Sequence, residues 1–297
     1  MIETIISSIV SMRHHKSYRD LLVGLIPEEE LSYLPRSFDI IGEVAIIQLP
    51  ERLLGVSKYI GEAILRVHKN VRCVYAKIGT VKGMFRLPHL LHIAGEQIES
   101  TIHREYGLSF LVDVRRCYFS PRLANEHRRI ALLAKDGEYI IDMFSGVGPF
   151  AIHIASIRKV LVYAIDINPY AYRCLVKNIK LNKRKLKGAV VPICSDSRIV
   201  AKYLREIADR IIMNFPDDPY SFLEYALLFL NEEGTIHIYS FEDEPDPIAS
   251  SLSKIQSIVS SLGWNIVDVL YSRIIKEVSP KRRYIVLDLY VKRRPLS

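Results

Sequence analysis

The sequence has few cysteines, no long hydrophobic run and no compositional bias. Its 297 residues include only Cys73, Cys117, Cys174 and Cys194, with no Cys-x-x-Cys pair and no histidine at metal spacing beside them. That excludes a disulfide framework and a structural zinc site, and the four read as buried thiols in a reducing compartment. No apolar stretch approaches the roughly 18 residues of a membrane helix. Residues 1–10 have no basic leader and no small-residue cleavage site, so they are not read as a signal peptide. The chain is expected to be cytoplasmic and monomeric, with no membrane and no metal among its partners. With 14 glycines and 14 prolines it is neither collagen-like nor low in complexity.

What is present describes a globular protein. Hydrophobic residues make up 49% and charged residues 25%, enough to bury a sizeable core. The length suits two domains. Lys and Arg outnumber Asp and Glu by 41 to 33, a net charge of +8. The surplus is clustered: residues 180–187 (KLNKRKLK) carry five basic side chains, and 281–283 and 292–294 add more. A solvated face is the ordinary reading of one such run, but several together point to a polyanionic partner.

Residues 1–31 read as helical, with a basic stretch at 13–19 and a helix start at Pro27-Glu28-Glu29-Glu30. A strand-rich segment follows, with a strand over 38–48, a helix over 57–68 and short strands near 71–78, 91–94 and 109–114. From about residue 128 strands and helices alternate. Strands are expected at 139–142, 160–166, 189–195, 210–214 and 235–240, and helices at 149–156, 169–182, 198–207 and 220–230. A helix near 248–262 precedes two runs, 265–272 and 283–292, joined by a polar connection at 273–282. This predicts an α/β fold, a Rossmann-like parallel sheet ending in an antiparallel hairpin, the class I methyltransferase architecture.

The segment Asp142-Met143-Phe144-Ser145-Gly146-Val147-Gly148-Pro149-Phe150 places a small-residue turn between a buried strand and a helix. Glycines let backbone approach a ligand, and the helix start offers free N–H groups. Asp166, 20 residues after Gly146, ends the next strand, where a carboxylate can accept ribose hydroxyls. Ile167 follows it, and Asp196 and Ser197 end the third strand within reach of an adenine edge. Gly146-x-Gly148-x-x-Ala151 also satisfies a dinucleotide fingerprint. Asp142 ahead of the glycines, the terminal hairpin and Asn214-Phe215-Pro216 after the fourth strand favour S-adenosyl-L-methionine. A pyrophosphate would be repelled by Asp142, whereas the ammonium of S-adenosyl-L-methionine suits a nearby acid or a carbonyl held in place by it.

Asn214-Phe215-Pro216-Asp217 falls where the fourth parallel strand ends. An Asn side chain both donates and accepts, so it can hold a base edge, although Asn-x-Pro also begins ordinary turns. Arg122 and Glu126 are four apart on one helical face, where the plain reading is a solvated ion pair.

These motifs together, with Cys117-Tyr118-Phe119-Ser120-Pro121-Arg122-Leu123-Ala124-Asn125-Glu126 and Phe38-Asp39-Ile40-Ile41-Gly42 through Leu49-Pro50, resemble the archaeal and eukaryotic tRNA (guanine-37-N1)-methyltransferase family. The resemblance covers roughly residues 20–297. It implies methyl transfer from S-adenosyl-L-methionine to N1 of the guanine beside the tRNA anticodon, with the anticodon stem-loop as partner. It implies Glu126 as general base, Arg86 as the cation at guanine O6, and Asn214 holding the base, with Pro216 and Arg122 shaping its pocket. Tyr118, Asp142, Phe144, Gly146, Gly148, Asp166, Ile167, Asp196, Ser197 and Asn214 match the cofactor contacts. The implied division is a short helical extension (1–35), a small α+β RNA-binding and base-positioning domain (36–115) and a class I methyltransferase domain (116–297). The short extension leaves no room for the tRNA-corner domain of many relatives. His127 departs from the family's frequent Arg and raises the prospect of a tuned base or an altered base contact. A related aminocarboxypropyl transferase of wybutosine synthesis is the nearest alternative, which Ser120-Pro121-Arg122 weighs against; a second methylation of a wyosine intermediate and a catalytically silent tRNA-binding protein are the others.

Overall fold

The computed structural model describes residues 17–82 and 87–295. Two compact units divide the chain, one of residues 1–103 and 112–122, the other of residues 104–111 and 123–297.

In the first unit, β1 (Asp39–Ile41) and β2 (Val44–Gln48) form a hairpin, and β3 (Cys73–Lys82) lies parallel to β2 and antiparallel to β4 (Leu87–Gly95). The continuous strand expected over 38–48 is broken at Gly42, which has φ +56° and no room for a Cβ beside Thr101 Oγ1. Helix α2 (Ser57–Val67) links β2 to β3 and buries Ile60, Ala63 and Ile64 against Val74 and Ala76, a spacing of three and four that gives the helix one apolar face. The helix expected over 1–31 lies outside the described residues up to position 16. Beyond it there is a 3-10 turn at Asp20–Leu22 and a one-turn helix, α1 (Glu28–Leu31), behind Pro27.

The strand β5 (Ser100–Glu105) pairs with β6 (Leu108–Asp113) in a two-stranded ribbon whose tip, residues 104–111, belongs to the second unit. That tip is held by α5 (Pro169–Asn182). Asn178, fully buried, accepts from Leu111 N (2.6 Å) and donates to Leu111 O (3.1 Å), while Asn182 accepts from Ser109 N (3.0 Å) and donates to Ser109 O (2.7 Å). Both amides satisfy strand backbone that would otherwise be orphaned.

The second unit is built on seven strands in the order β12-β13-β11-β10-β7-β8-β9. They are β7 (Tyr139–Asp142), β8 (Leu161–Asp166), β9 (Ala189–Cys194), β10 (Ala208–Met213), β11 (Leu230–Asp243), β12 (Trp264–Ser279) and β13 (Arg282–Arg293). The five from β9 to β11 are parallel, and β13 and β12 run antiparallel at the end. The helices are α3 (Ala124–Leu133), α4 (Pro149–Ile157), α5, α6 (Ser197–Val200), α7 (Leu223–Phe229) and α8 (Pro247–Ser261). Ile141, Met143, Ile165, Ile211, Met213, Leu287 and Leu289 carry the core between sheet and helices. The order reverses between β7 and β10, and open α/β sheets bind ligands at the carboxyl ends beside such a reversal.

Three expectations need correction. The helix expected over 198–207 stops at Val200, and Glu206 and Ile207 instead bond backbone to Leu228 and Phe229. The polar connection expected over 273–282 shrinks to a turn at residues 280–281, because β12 continues through Ser279 as an edge strand. Cys194 is exposed, at the end of edge strand β9, while the other three cysteines are buried.

Candidate functional site

The turn after β7 is suspended from both neighbouring strands: Met143 N donates to Ile212 O (3.0 Å) and Ser145 N to Ile165 O (2.8 Å). Gly148, at φ +91°, caps α4, and a Cβ there would collide with Leu175. Pro149 occupies the first helical position, where its missing N–H costs nothing. Asp166 accepts from Gly146 N (2.7 Å) on Oδ2 and from Asn168 N (2.8 Å) on Oδ1. Burial raises its carboxyl above the usual range, and those two N–H groups work against the rise. Each oxygen retains a lone pair, so Asp166 can bind the turn and a diol together.

Asp142 lies beneath the turn with no exposure, and burial pushes its carboxyl up to about 8. At neutral pH it is therefore mainly protonated. Asp196 caps α6 through Arg198 N (2.8 Å) and also pairs with the Arg198 guanidinium (2.6 Å), which holds its carboxyl low. Ser197 donates to Met143 O. Phe144 stacks on Phe215 at 5.0 Å and meets Phe222 edge-on at 4.9 Å, an aromatic wall at the ends of β7 and β10. Ile167 is exposed beside Asp166.

Asn214 follows β10, and its Oδ1 accepts from Tyr284 on β13 at 2.6 Å. That leaves the Asn214 amide N–H groups as donors. Pro216 is buried, and its carbonyl accepts from Phe241 N (2.9 Å), fixing the loop to β11.

Glu126 is buried on the first turn of α3. Its cation is Arg129, which donates from Nε (3.0 Å) and Nη2 (2.9 Å), and Tyr239 donates its hydroxyl at 3.1 Å. The ion pair expected with Arg122 is not formed; Arg122 pairs with Asp39, within the first unit. Neighbouring His127 points to Glu105, which receives both His127 Nδ1 (2.8 Å) and His153 Nε2 (3.1 Å) on one oxygen. Burial would lift the Glu105 carboxyl, yet the two imidazoles outweigh it and hold it at about 2. An ionised carboxylate only accepts, so both facing nitrogens carry the protons. His127 is thus one of two ring donors that hold Glu105 and the ribbon tip.

The second unit therefore brings Glu126, Asp142, Phe144, Gly146, Gly148, Asp166, Ile167, Asp196, Ser197, Asn214 and Pro216 into one domain, most of them at the carboxyl ends of its parallel strands. Tyr118 and Arg122 belong to the first unit, and Arg86 lies outside the described residues. Sequence reading missed Arg129, Tyr239, Tyr284 and Asp288. An acid in the middle of the apolar run Ile285-Val286-Leu287-Asp288-Leu289 was the available signal.

Known proteins resemble this arrangement closely. Residues 101–267 match the TRM5/TYW2 methyltransferase domain, and residues 18–98 match the TYW2 N-terminal domain. The tRNA (guanine(37)-N(1))-methyltransferase Trm5b of Pyrococcus abyssi is 46% identical over 94% of this chain and 81% of its own. Its crystal structure superposes with a TM-score of 0.80, over 90% of this chain and 78% of that one. The structure of aTrm5 with tRNALeu, 34% identical, gives 0.78 over 92% of this chain and 78% of that one. The chain belongs to the TRM5/TYW2 methyltransferase family.

Proposed function

We propose that the protein transfers the methyl group of S-adenosyl-L-methionine to N1 of guanine 37 in tRNA. The observation that carries this reading is the Asp166–Gly146 hydrogen bond at the strand-order reversal, with Asn214 ending the adjoining β10. Family relatives support the chemistry: the Pyrococcus abyssi and Methanocaldococcus jannaschii proteins are named tRNA (guanine(37)-N(1))-methyltransferases, and a TYW2 relative was solved with AdoMet.

The residues present fit the cofactor. Asp166 has lone pairs for the ribose, the turn at Gly146–Gly148 admits close backbone approach, and Phe144 offers an apolar wall. When bound, S-adenosyl-L-methionine supplies an electrophilic methyl. The chain's residues do the rest. Guanine N1 carries a proton and is a poor nucleophile, so a carboxylate must take that proton; Glu126 is assigned this role. Asn214 holds the base edge with its amide donors, and buried Pro216 stiffens the loop. Arg86 is assigned to the charge that gathers on O6. Orientation of the base supplies much of the remaining acceleration. The basic run at 180–187 is assigned to tRNA phosphates.

A transcript carrying guanosine at position 37 should yield 1-methylguanosine on nuclease digestion and mass spectrometry, and an adenosine-37 transcript should yield no methylated base at that position. Equal labelling of both would refute the assignment.

A further inference from the structure

The donors around Glu126 converge on one oxygen. Oε2 accepts from Arg129 Nε, Arg129 Nη2 and the Tyr239 hydroxyl, at 3.0, 2.9 and 3.1 Å. Among the described residues nothing donates to Oε1. A carboxylate oxygen offers two lone pairs, and three donors leave no room on Oε2 for an incoming proton. A proton can be accepted only on Oε1.

Arg129 is itself held. Its Nη1 and Nη2 reach Oδ2 and Oδ1 of Asp288 at 2.5 and 3.3 Å, a fork on a fork, and its guanidinium lies 4.2 Å from the Tyr271 ring centre. Behind Asp288 stands His237, with Nδ1 2.7 Å from Asp288 Oδ1 and Nε2 2.7 Å from Arg210 Nη1. Arginine only donates, so Nε2 accepts and the imidazole proton sits on Nδ1. Arg210 ends the chain on Glu138, at 2.8 and 2.9 Å. Asp288 is 1% exposed and His237 and Tyr239 are fully buried. Dehydrating so many charges is costly, and well-packed apolar residues can serve stability as well or better. A role in the reaction accounts for what stability alone does not require.

We propose that Asp288 and Arg129 are positioning residues for the methyl-transfer step: they clamp Glu126 Oε2 so that Oε1 faces the N1 proton of the bound guanine. The proposal rests on Glu126 being the general base, and a mutant cycle separates the two ideas.

The measurement is the single-turnover rate of methylation of a guanosine-37 transcript at saturating S-adenosyl-L-methionine, together with cofactor affinity. Asp288→Asn keeps the shape and removes the charge. It should slow methylation about tenfold or more with cofactor affinity unchanged, yet cause no further loss in a Glu126→Gln background. Tyr239→Phe, which deletes one hydroxyl, should lose a few-fold by the same pattern and serves as the probe if Asp288→Asn fails to fold. Arg129→Lys keeps charge without the fork and should not restore the rate. The same fold loss in both backgrounds, or a parent-like rate for Asp288→Asn, overturns the positioning role while leaving the base intact. A parent-like rate for Glu126→Gln alone overturns the base and the proposal with it.

Discussion

The hydroxyl of Tyr284 lies 2.6 Å from Oδ1 of Asn214, tying the terminal hairpin to the loop that ends β10. Four residues on along β13, on the same face, Asp288 holds Arg129 against Glu126. One strand thus braces both the proposed base and the proposed base-holding amide. Removing the tie in Tyr284→Phe frees the Asn214 carbonyl to turn. A neutral hydrogen bond contributes about 1 kcal/mol, so kcat/KM for tRNA should fall about fivefold with little change in Tm. Steady-state kinetics and a melting curve decide it.

Glu126→Gln keeps the side-chain shape and removes the proton acceptor. General-base catalysis accounts for about 10²–10⁴-fold, so single-turnover methylation should slow by about 10²-fold or more while cofactor affinity stays near the parent's. A rate within a few-fold of the parent's would reduce Glu126 to an ion-pair residue.

Asp166→Ala removes the acceptor for Gly146 N–H and, with it, the carboxylate proposed to bind the ribose. Calorimetry should show S-adenosyl-L-methionine affinity reduced by about tenfold or more, because a buried donor is left unsatisfied and a diol contact is lost. Unchanged affinity would remove Asp166 from the cofactor site.

The buried Glu105 cluster sets an acid limit on stability. The folded carboxyl is held at about 2 against an ordinary value of 4.5, so the unfolded chain binds the proton more readily. Stability from Glu105 is full above about pH 4.5 and is lost as pH falls towards 2. Glu105→Gln should therefore lower stability at pH 7 by about 3 kcal/mol, since it breaks a buried charged contact, and the difference should shrink as pH approaches 2. Denaturant melts across that range would show the two curves converging.

The parallel sheet was legible because β7 and β8 are short apolar runs ending in an acid and β10 closes on Ile211-Ile212-Met213, and because Pro149 and Pro169 mark helix starts. β5 (Ser100–Glu105, STIHRE) went unread because it alternates with polar residues in a two-stranded ribbon without a fully buried face. The far half of β12 resembled a loop for a related reason: an edge strand tolerates Ser272, Arg273 and Glu277 in solvent. Of the site, the turn and Asp166 were readable from spacing within one βαβ unit. The setting of Glu126 was not, because Tyr239 and Asp288 lie 113 and 162 residues away in sequence and meet it only through the β11–β13 pairing. The contact His127 makes with Glu105 was not legible either, because Glu105 is supplied by another element.

The most direct test of the account is which part of the cofactor moves. One relative, 34% identical over 78% of this chain, is named an aminocarboxypropyltransferase, so the family contains both outcomes. The protein should be incubated with a guanosine-37 transcript and S-adenosyl-L-methionine labelled in the methyl group in one sample and in the carboxyl group in another. Methyl label recovered in 1-methylguanosine, with no carboxyl label entering RNA, is the predicted result. Carboxyl label in the RNA, or methyl label on a base other than guanine 37, would contradict it.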